Sequence, residues 1–200
     1  MFSSSSIAQS VPADASAYEH VLVVMSIVLG LAITQLLKGA AQLYRARARV
    51  RTYWLHWAWT ALLAVFSLLL WWTYWSYRSI TEWDFLRFVL YLSPTVAFYF
   101  LSSIAFPDPA DNVDDLREYF FANRAGFFGA FAAYAVLAGV TAMVVRGMPV
   151  TDPSNAFRVA MVAVMVTGMR SASPRVHAAV FIMAAVLFVA FVVFFQFRLA

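Results

Sequence analysis

Residues 18–52 read YEHVLVVMSIVLGLAITQLLKGAAQLYRARARVRT, and this stretch decides the fold class. From Val21 to Leu37 there is no charged side chain, a run long enough for most of a membrane crossing. Behind it come Lys38, Arg45, Arg47, Arg49 and Arg51, a cluster of the kind that marks a cytoplasmic turn and meets anionic headgroups. A long apolar helix closed by a basic turn is the grammar of a multi-pass membrane protein.

The rest of the chain obeys the same grammar. Hydrophobic residues make up 64% of it and charged residues 12%, whereas a soluble domain carries about a quarter charged. A 200-residue chain of that composition needs a bilayer as solvent and leaves no room for a large soluble module. The net charge of +4 comes from arginines at the ends of apolar runs, which read as topology signals and not as a nucleic-acid surface. With no cysteine, thiolate metal sites, disulfides and cysteine nucleophiles are excluded.

Residues 1–17 lack the basic start and apolar stretch of a signal peptide and read as a disordered tail, leaving 18–200 as a single transmembrane domain. Ser16 followed by Glu19 has the capping-box spacing and marks a helix start. The second helix is expected over Tyr53 to Tyr77, with Trp54, Trp57 and Trp59 at one end and Trp71, Trp72 and Trp75 at the other. Twenty-one steps at ~1.5 Å separate Trp54 from Trp75, roughly 31 Å, which matches the hydrocarbon thickness. Two indole belts at that spacing are what the two membrane interfaces select.

Thr81 to Asp84 repeats the capping pattern before a third helix, Phe85 to Phe106. Pro94 in its middle frees a backbone carbonyl that needs another donor in lipid. Between Asp108 and Arg124, a short amphipathic surface helix is expected, capped by Asp111, with Val113, Leu116 and Phe120 on one face. Ala125 to Val145 forms the fourth helix. Asp152-Pro153 and Ser173-Pro174 open a fifth (Ser154 to Met169) and a sixth (Arg175 to Phe197). The expected fold is therefore all-α, with six transmembrane helices and one surface helix. Six crossings put nine basic residues on one side and at most five on the other. The positive-inside rule then places both termini outside the cytoplasm of a bacterial inner membrane.

Two sets of residues follow for function. Ser26, Gly30 and Thr34 on helix one, and Ala125, Gly129 and Ala133 on helix four, recur at four-residue spacing and predict faces for close helix approach. A polar seam is expected among helices one to three, from Thr34, His56, Thr60, Ser67, Tyr74, Arg87, Tyr91 and Thr95. Interhelical hydrogen bonding is the plain account of that seam, a solute or ion pathway the sharper one. No carboxylate lies inside a span, which favours the first. Arg87 sits one turn inside its helix, where it can snorkel to headgroups or pair with Asp84 or Glu82.

No phosphate loop, nucleophile elbow, metalloprotease helix or dinucleotide fingerprint occurs, and no metal site or catalytic residue is assigned. His56 and His177 fall on the same side, so a haem with two axial histidines, part of a haem- or quinone-linked redox subunit, is the third alternative. The leading expectation is an accessory protein that assembles with itself or another membrane protein. A small-solute or ion transporter using the seam stands second.

Overall fold

A computed structural model describes residues 13–108 and 113–196, with the side chains of the first helix described from Tyr18 onward. It is all-helical, with no strand among the described residues. The elements are α1 (Ala13–Arg45), α2 (Trp54–Tyr74, continued by a 3-10 turn at Trp75–Tyr77), α3 (Phe85–Ile104), α4 (Leu116–Val145), α5 (Pro153–Arg170) and α6 (Pro174–Phe191, running into a π turn at Val192–Gln196). Five of these, all but α5, are long and apolar enough to cross a membrane, as expected of a membrane-embedded chain.

The ends of the helices follow local chemistry. Asp84 accepts from the Arg87 amide at 2.8 Å, so the start of α3 is capped by Asp84 and not by Thr81. Asp152 accepts from the Ser154 amide at 2.9 Å and Pro153 takes the first helical position of α5. The backbone of α1 begins at Ala13, upstream of the start assigned to Ser16, and the rest of the tail, 1–12, lies outside the described residues. At its other end α1 continues past Lys38 to Arg45, because Leu36, Gly39 and Leu43 keep the buried register and no breaker intervenes.

Among the described residues the expected surface helix does not form a separate element. Residues from Leu116 on are the first turns of α4, capped by Asp115, whose carboxylate accepts from the Arg117 and Glu118 amides at 2.7 and 3.4 Å. The charge pattern that suggested a helix on the surface holds, but nothing at Arg124 to Gly126 stops a helix, so it runs on as one element. At ~1.5 Å per residue those 30 residues span about 45 Å, so the charged turns project beyond the hydrocarbon. Asp111, the cap assigned to the surface helix, lies outside the described residues.

Side-chain contacts fix the helix directions. Tyr18 bonds the Tyr74 carbonyl while Gly39 packs on Phe106, so α1 runs against α2 and alongside α3. Trp59 meets Phe128 and Phe66 meets Tyr134, so α4 runs with α2. Gly129 faces Met169 and Gly139 faces Arg158, so α5 runs back against α4. Trp54 meets Phe181 and Phe66 meets Phe188, so α6 again runs with α2. Successive helices thus alternate. One end of the bundle gathers Arg51, Arg117, Arg170 and Arg175, the other Arg78, Arg146 and Arg158.

The buried interior is made by Met25, Leu55, Trp59, Leu63, Phe98, Phe128, Phe131 and Met165, each at most 2% exposed. In lipid these contacts gain little from leaving the solvent, which is as apolar as they are, so fit and hydrogen bonding hold the bundle together. At the Arg51 end the two long connections are clamped: the Arg51 amide donates to Asp114 O at 2.8 Å and the Leu116 amide to Arg51 O at 3.1 Å.

Candidate functional site

The structure draws part of the expected seam into a knot at the end opposite Arg51. The Tyr74 hydroxyl and Thr95 Oγ1 are 2.5 Å apart, and Tyr74 also reaches the Tyr91 carbonyl at 3.3 Å. Tyr18 of α1 donates to the Tyr74 carbonyl at 2.9 Å. Around these bonds the rings of Tyr74, Tyr77, Tyr91 and Trp83 pack edge-on or tilted, at centroid distances of 4.6 to 6.0 Å. Tyr91 and Thr95 are wholly buried. The knot ties α1, α2 and α3 together.

The remaining seam residues do not join it. Thr34 is exposed and its hydroxyl donates back to Gly30 O at 2.8 Å. Thr60 returns to His56 O at 3.0 Å and Ser67 to Ala64 O at 2.6 Å, each within its own helix. Arg87 stays at the surface, paired with Glu82 at 3.4 Å and Asp84 at 3.6 Å, the two partners its position suggested.

His56 is buried at the Arg51 end against Phe106 and Tyr119, beside a cavity of about 20 Å³. His177 is buried among Phe120, Phe121 and Phe128, with its Nε2 at 2.9 Å from Ser171 O. It does not line the His56 cavity, whose volume is far below that of a macrocycle, and Phe120 stands in the wall of one site and against the ring of the other. The pair therefore offers no shared haem slot. No group of three or more metal-binding side chains occurs among the described residues.

The four-residue stripes point mostly outward. Gly30 is exposed with open space above it, and Ala125 and Ala133 are exposed too. Ser26 and Gly129 are half-buried; a side chain on Gly129 would stand 3.7 Å from Met169 Sδ. The tight approaches lie elsewhere. A methyl on Gly39 would overlap the Phe106 ring, one on Gly168 would stand 3.0 Å from Phe128, and one on Gly139 3.4 Å from Arg158 Cδ. Gly39 was readable, since it shares the Ala32, Leu36, Leu43 face, and Gly139 was too, four residues after Ala135 on a buried face.

Lys38 and Arg45, in α1, and Arg47, Arg49 and Arg51, in the turn after it, are all exposed. Arg47 folds back over the Tyr44 ring at 4.3 Å and donates to the Tyr44 carbonyl at 2.9 Å. Just inside, burial raises the Tyr53 phenol above its ordinary pKa, opposed by the nearby charge of Arg117.

One feature had no sequence signal. Between α2, α4, α5 and α6 lies a partly open cleft of about 100 Å³, walled by aliphatic and aromatic side chains. Tyr77, Tyr134, Arg146 and Arg158 line it as well. Arg158 Nη1 donates to Ser154 Oγ at 2.8 Å and Asn155 Oδ1 at 2.7 Å. Ser154 Oγ in turn donates to Asp152 Oδ1 at 2.5 Å, and the hydrogen bonds from Ser154 hold the Asp152 carboxyl below its ordinary pKa.

No family model, curated protein or solved structure matches this chain. The site is defined by its own geometry.

Proposed function

We propose that this chain is a six-pass accessory protein that works by binding within the membrane and not by catalysis. The observation that carries this reading is how its interhelical polar groups are used. Tyr18, Tyr74, Thr95, Tyr119 and Thr141 each bond a neighbouring helix, so their hydroxyls serve as fasteners and line no continuous polar passage. That weighs against a solute pathway through the first three helices, which would need polar groups turned toward water. The outward face of α1, where Gly30 meets nothing within 4 Å, suits a second helix approaching closely.

Six passes are supported by the alternating directions, although α5 is the least apolar helix. Its 18 residues span about 27 Å, nearly the hydrocarbon thickness, and Arg158 near its start and Arg170 at its end fall close to opposite interfaces. The Arg51 end carries most of the basic residues, so the positive-inside rule puts that end in the cytoplasm and both termini across the membrane.

The test is native mass spectrometry of the protein gently extracted from its own membrane, for the natural chain and Gly30→Leu. A stoichiometric complex, with itself or a second protein, that Gly30→Leu dissociates while leaving the unfolding temperature unchanged is the expected result. A natural chain that is monomeric under every gentle condition would overturn the reading. So would solute flux in proteoliposomes that Tyr91→Phe abolishes.

A further inference from the structure

The cleft between α2, α4, α5 and α6 combines apolar walls with a basic rim. Its walls are apolar, with Leu69, Phe131, Met161, Leu187 and Phe191 among them. Its rim carries two guanidinium groups, Arg146 and Arg158. Neither has a carboxylate within ion-pair distance among the described residues, where both ion pairs belong to Arg87. Asp152 exerts a field on both arginines, but its Oδ1 is taken by the amide and hydroxyl of Ser154. Two fixed positive charges against one engaged negative charge leave the rim with a net positive field.

An arginine close to an interface can simply snorkel, and Arg146, exposed over the Tyr77 ring at 5.4 Å, fits that account by itself. Arg158 does not. It is half-buried, its Nη1 is held by Ser154 and Asn155, and its guanidinium lies 5.7 Å over the Phe191 ring. Asn155 is itself anchored through Nδ2 to the carbonyls of Pro149 and Val150, at 3.2 and 3.1 Å. A guanidinium aimed by a chain of hydrogen bonds has already lost the rotamer freedom that ligand binding would otherwise cost.

The cleft also sits at the right depth. Trp72, in the second indole belt of α2, donates to Gln196 O at 2.9 Å at the same end of the bundle, where headgroups meet acyl chains. A volume of about 100 Å³ is several times what one water needs, and the apolar walls offer water few partners. A hydrocarbon tail suits those walls, and a phosphate or carboxylate suits the rim.

We propose that this cleft binds one anionic amphiphile, its phosphate or carboxylate on Arg146 and Arg158 and its first methylenes against the apolar walls. In the orientation proposed above, it would draw the ligand from the non-cytoplasmic leaflet. The binding itself does not depend on that orientation or on assembly through α1.

The full chain in a neutral maltoside detergent is titrated with dodecyl phosphate and followed by native mass spectrometry. Inorganic phosphate and dodecanol are run in parallel. One dodecyl phosphate should bind, and neither the free anion nor the neutral alcohol should compete at equal concentration. Arg146→Gln should weaken binding about fivefold, and R146Q/R158Q at least about tenfold, or ~1.4 kcal/mol. Replacing Arg45, Arg47 and Arg49 by Gln at the opposite end should leave the constant unchanged. If the double variant unfolds, Arg146→Gln alone decides, because that side chain is exposed, with its unfolding temperature measured alongside to account for the contact with the Tyr77 ring. Unchanged affinity in R146Q, or a loss that follows the basic turn instead, overturns the proposal. Competition by inorganic phosphate alone would overturn the amphiphile in favour of a soluble anion.

Discussion

Pro94 and Thr141 give the sharpest energetic test of the bundle. Proline at position 94 has no amide hydrogen, so the Leu90 carbonyl one turn earlier loses its helical donor. Two hydroxyls replace it: Ser93 Oγ at 2.9 Å from the same helix, and Thr141 Oγ1 at 2.6 Å from α4. Thr141 is buried, so Thr141→Val keeps the volume and removes only the donor. A net interhelical hydrogen bond contributes about 0.5–1.5 kcal/mol, and measured values in membranes average ~0.6. The single substitution should therefore cost ~1 kcal/mol. In a Pro94→Ala background the new amide can bond Leu90 itself, and the cost of Thr141→Val should fall close to zero. The assay is reversible unfolding of the four proteins in mixed micelles, read by circular dichroism as a double-mutant cycle. Equal costs of Thr141→Val in both backgrounds would refute the claim that Thr141 serves the carbonyl that Pro94 frees.

Two further tests use single positions. Gly39→Ala and Gly30→Ala carry the same propensity gain of up to ~1 kcal/mol, but only the first drives a methyl into the Phe106 ring, which should cost about 1–3 kcal/mol. Thermal unfolding should rank Gly30→Ala at or above the natural chain and Gly39→Ala below it, with Phe106→Leu restoring Gly39→Ala; equal midpoints would contradict the packing. Because the chain contains no cysteine, single cysteines at Arg47, Ser79, Thr151 and Ala172 report topology directly. Six passes require 47 and 172 to label from one side of intact membranes and 79 and 151 from the other, and labelling of 151 and 172 from the same side would remove α5 as a span.

How much of this was legible in the sequence depends on the kind of signal. The tryptophan belts and long apolar runs marked the spanning helices, since the bilayer fixes both length and interface chemistry. Pro94's need for a donor was legible from covalent chemistry, but its partner was not, because Thr141 lies 47 residues further on. The Tyr74, Tyr91, Thr95 knot was half-legible: helical spacing put the three on facing stripes, and only packing selected them over Thr34 and Thr60. Those two satisfied their hydroxyls on their own helices, an option Ser and Thr always have. The stripes at Ser26 and Ala125 left their direction open for a related reason. Four-residue spacing defines a face but not its direction, and in lipid the outward face is as apolar as the inward one, so periodicity loses its sign.

The cleft was illegible because its polar members come from separate segments. Tyr77, Arg146 and Arg158 look, one at a time, like interfacial residues at helix ends, and Tyr134 like a lone hydroxyl within its helix; they become a site only when α5 folds back along α4. Gly139 makes that possible, since its missing side chain lets the Arg158 stem lie against α4. The first three helices are fastened by hydroxyls and aromatic edges where Tyr18, Tyr74 and Thr95 meet; α4 and α5 are fastened at glycines, and the space they leave against α2 and α6 stays open. That contrast separates the two proposals physically. α1 contributes no residue to the cleft, and the cleft residues contribute nothing to the open face at Gly30. An assembly defect in Gly30→Leu with normal amphiphile binding, and the reverse in Arg146→Gln, would place the two activities on independent surfaces. Coupled defects would require a path through α2 or α3, which both pack on α1 and both reach the cleft, α3 through Pro94.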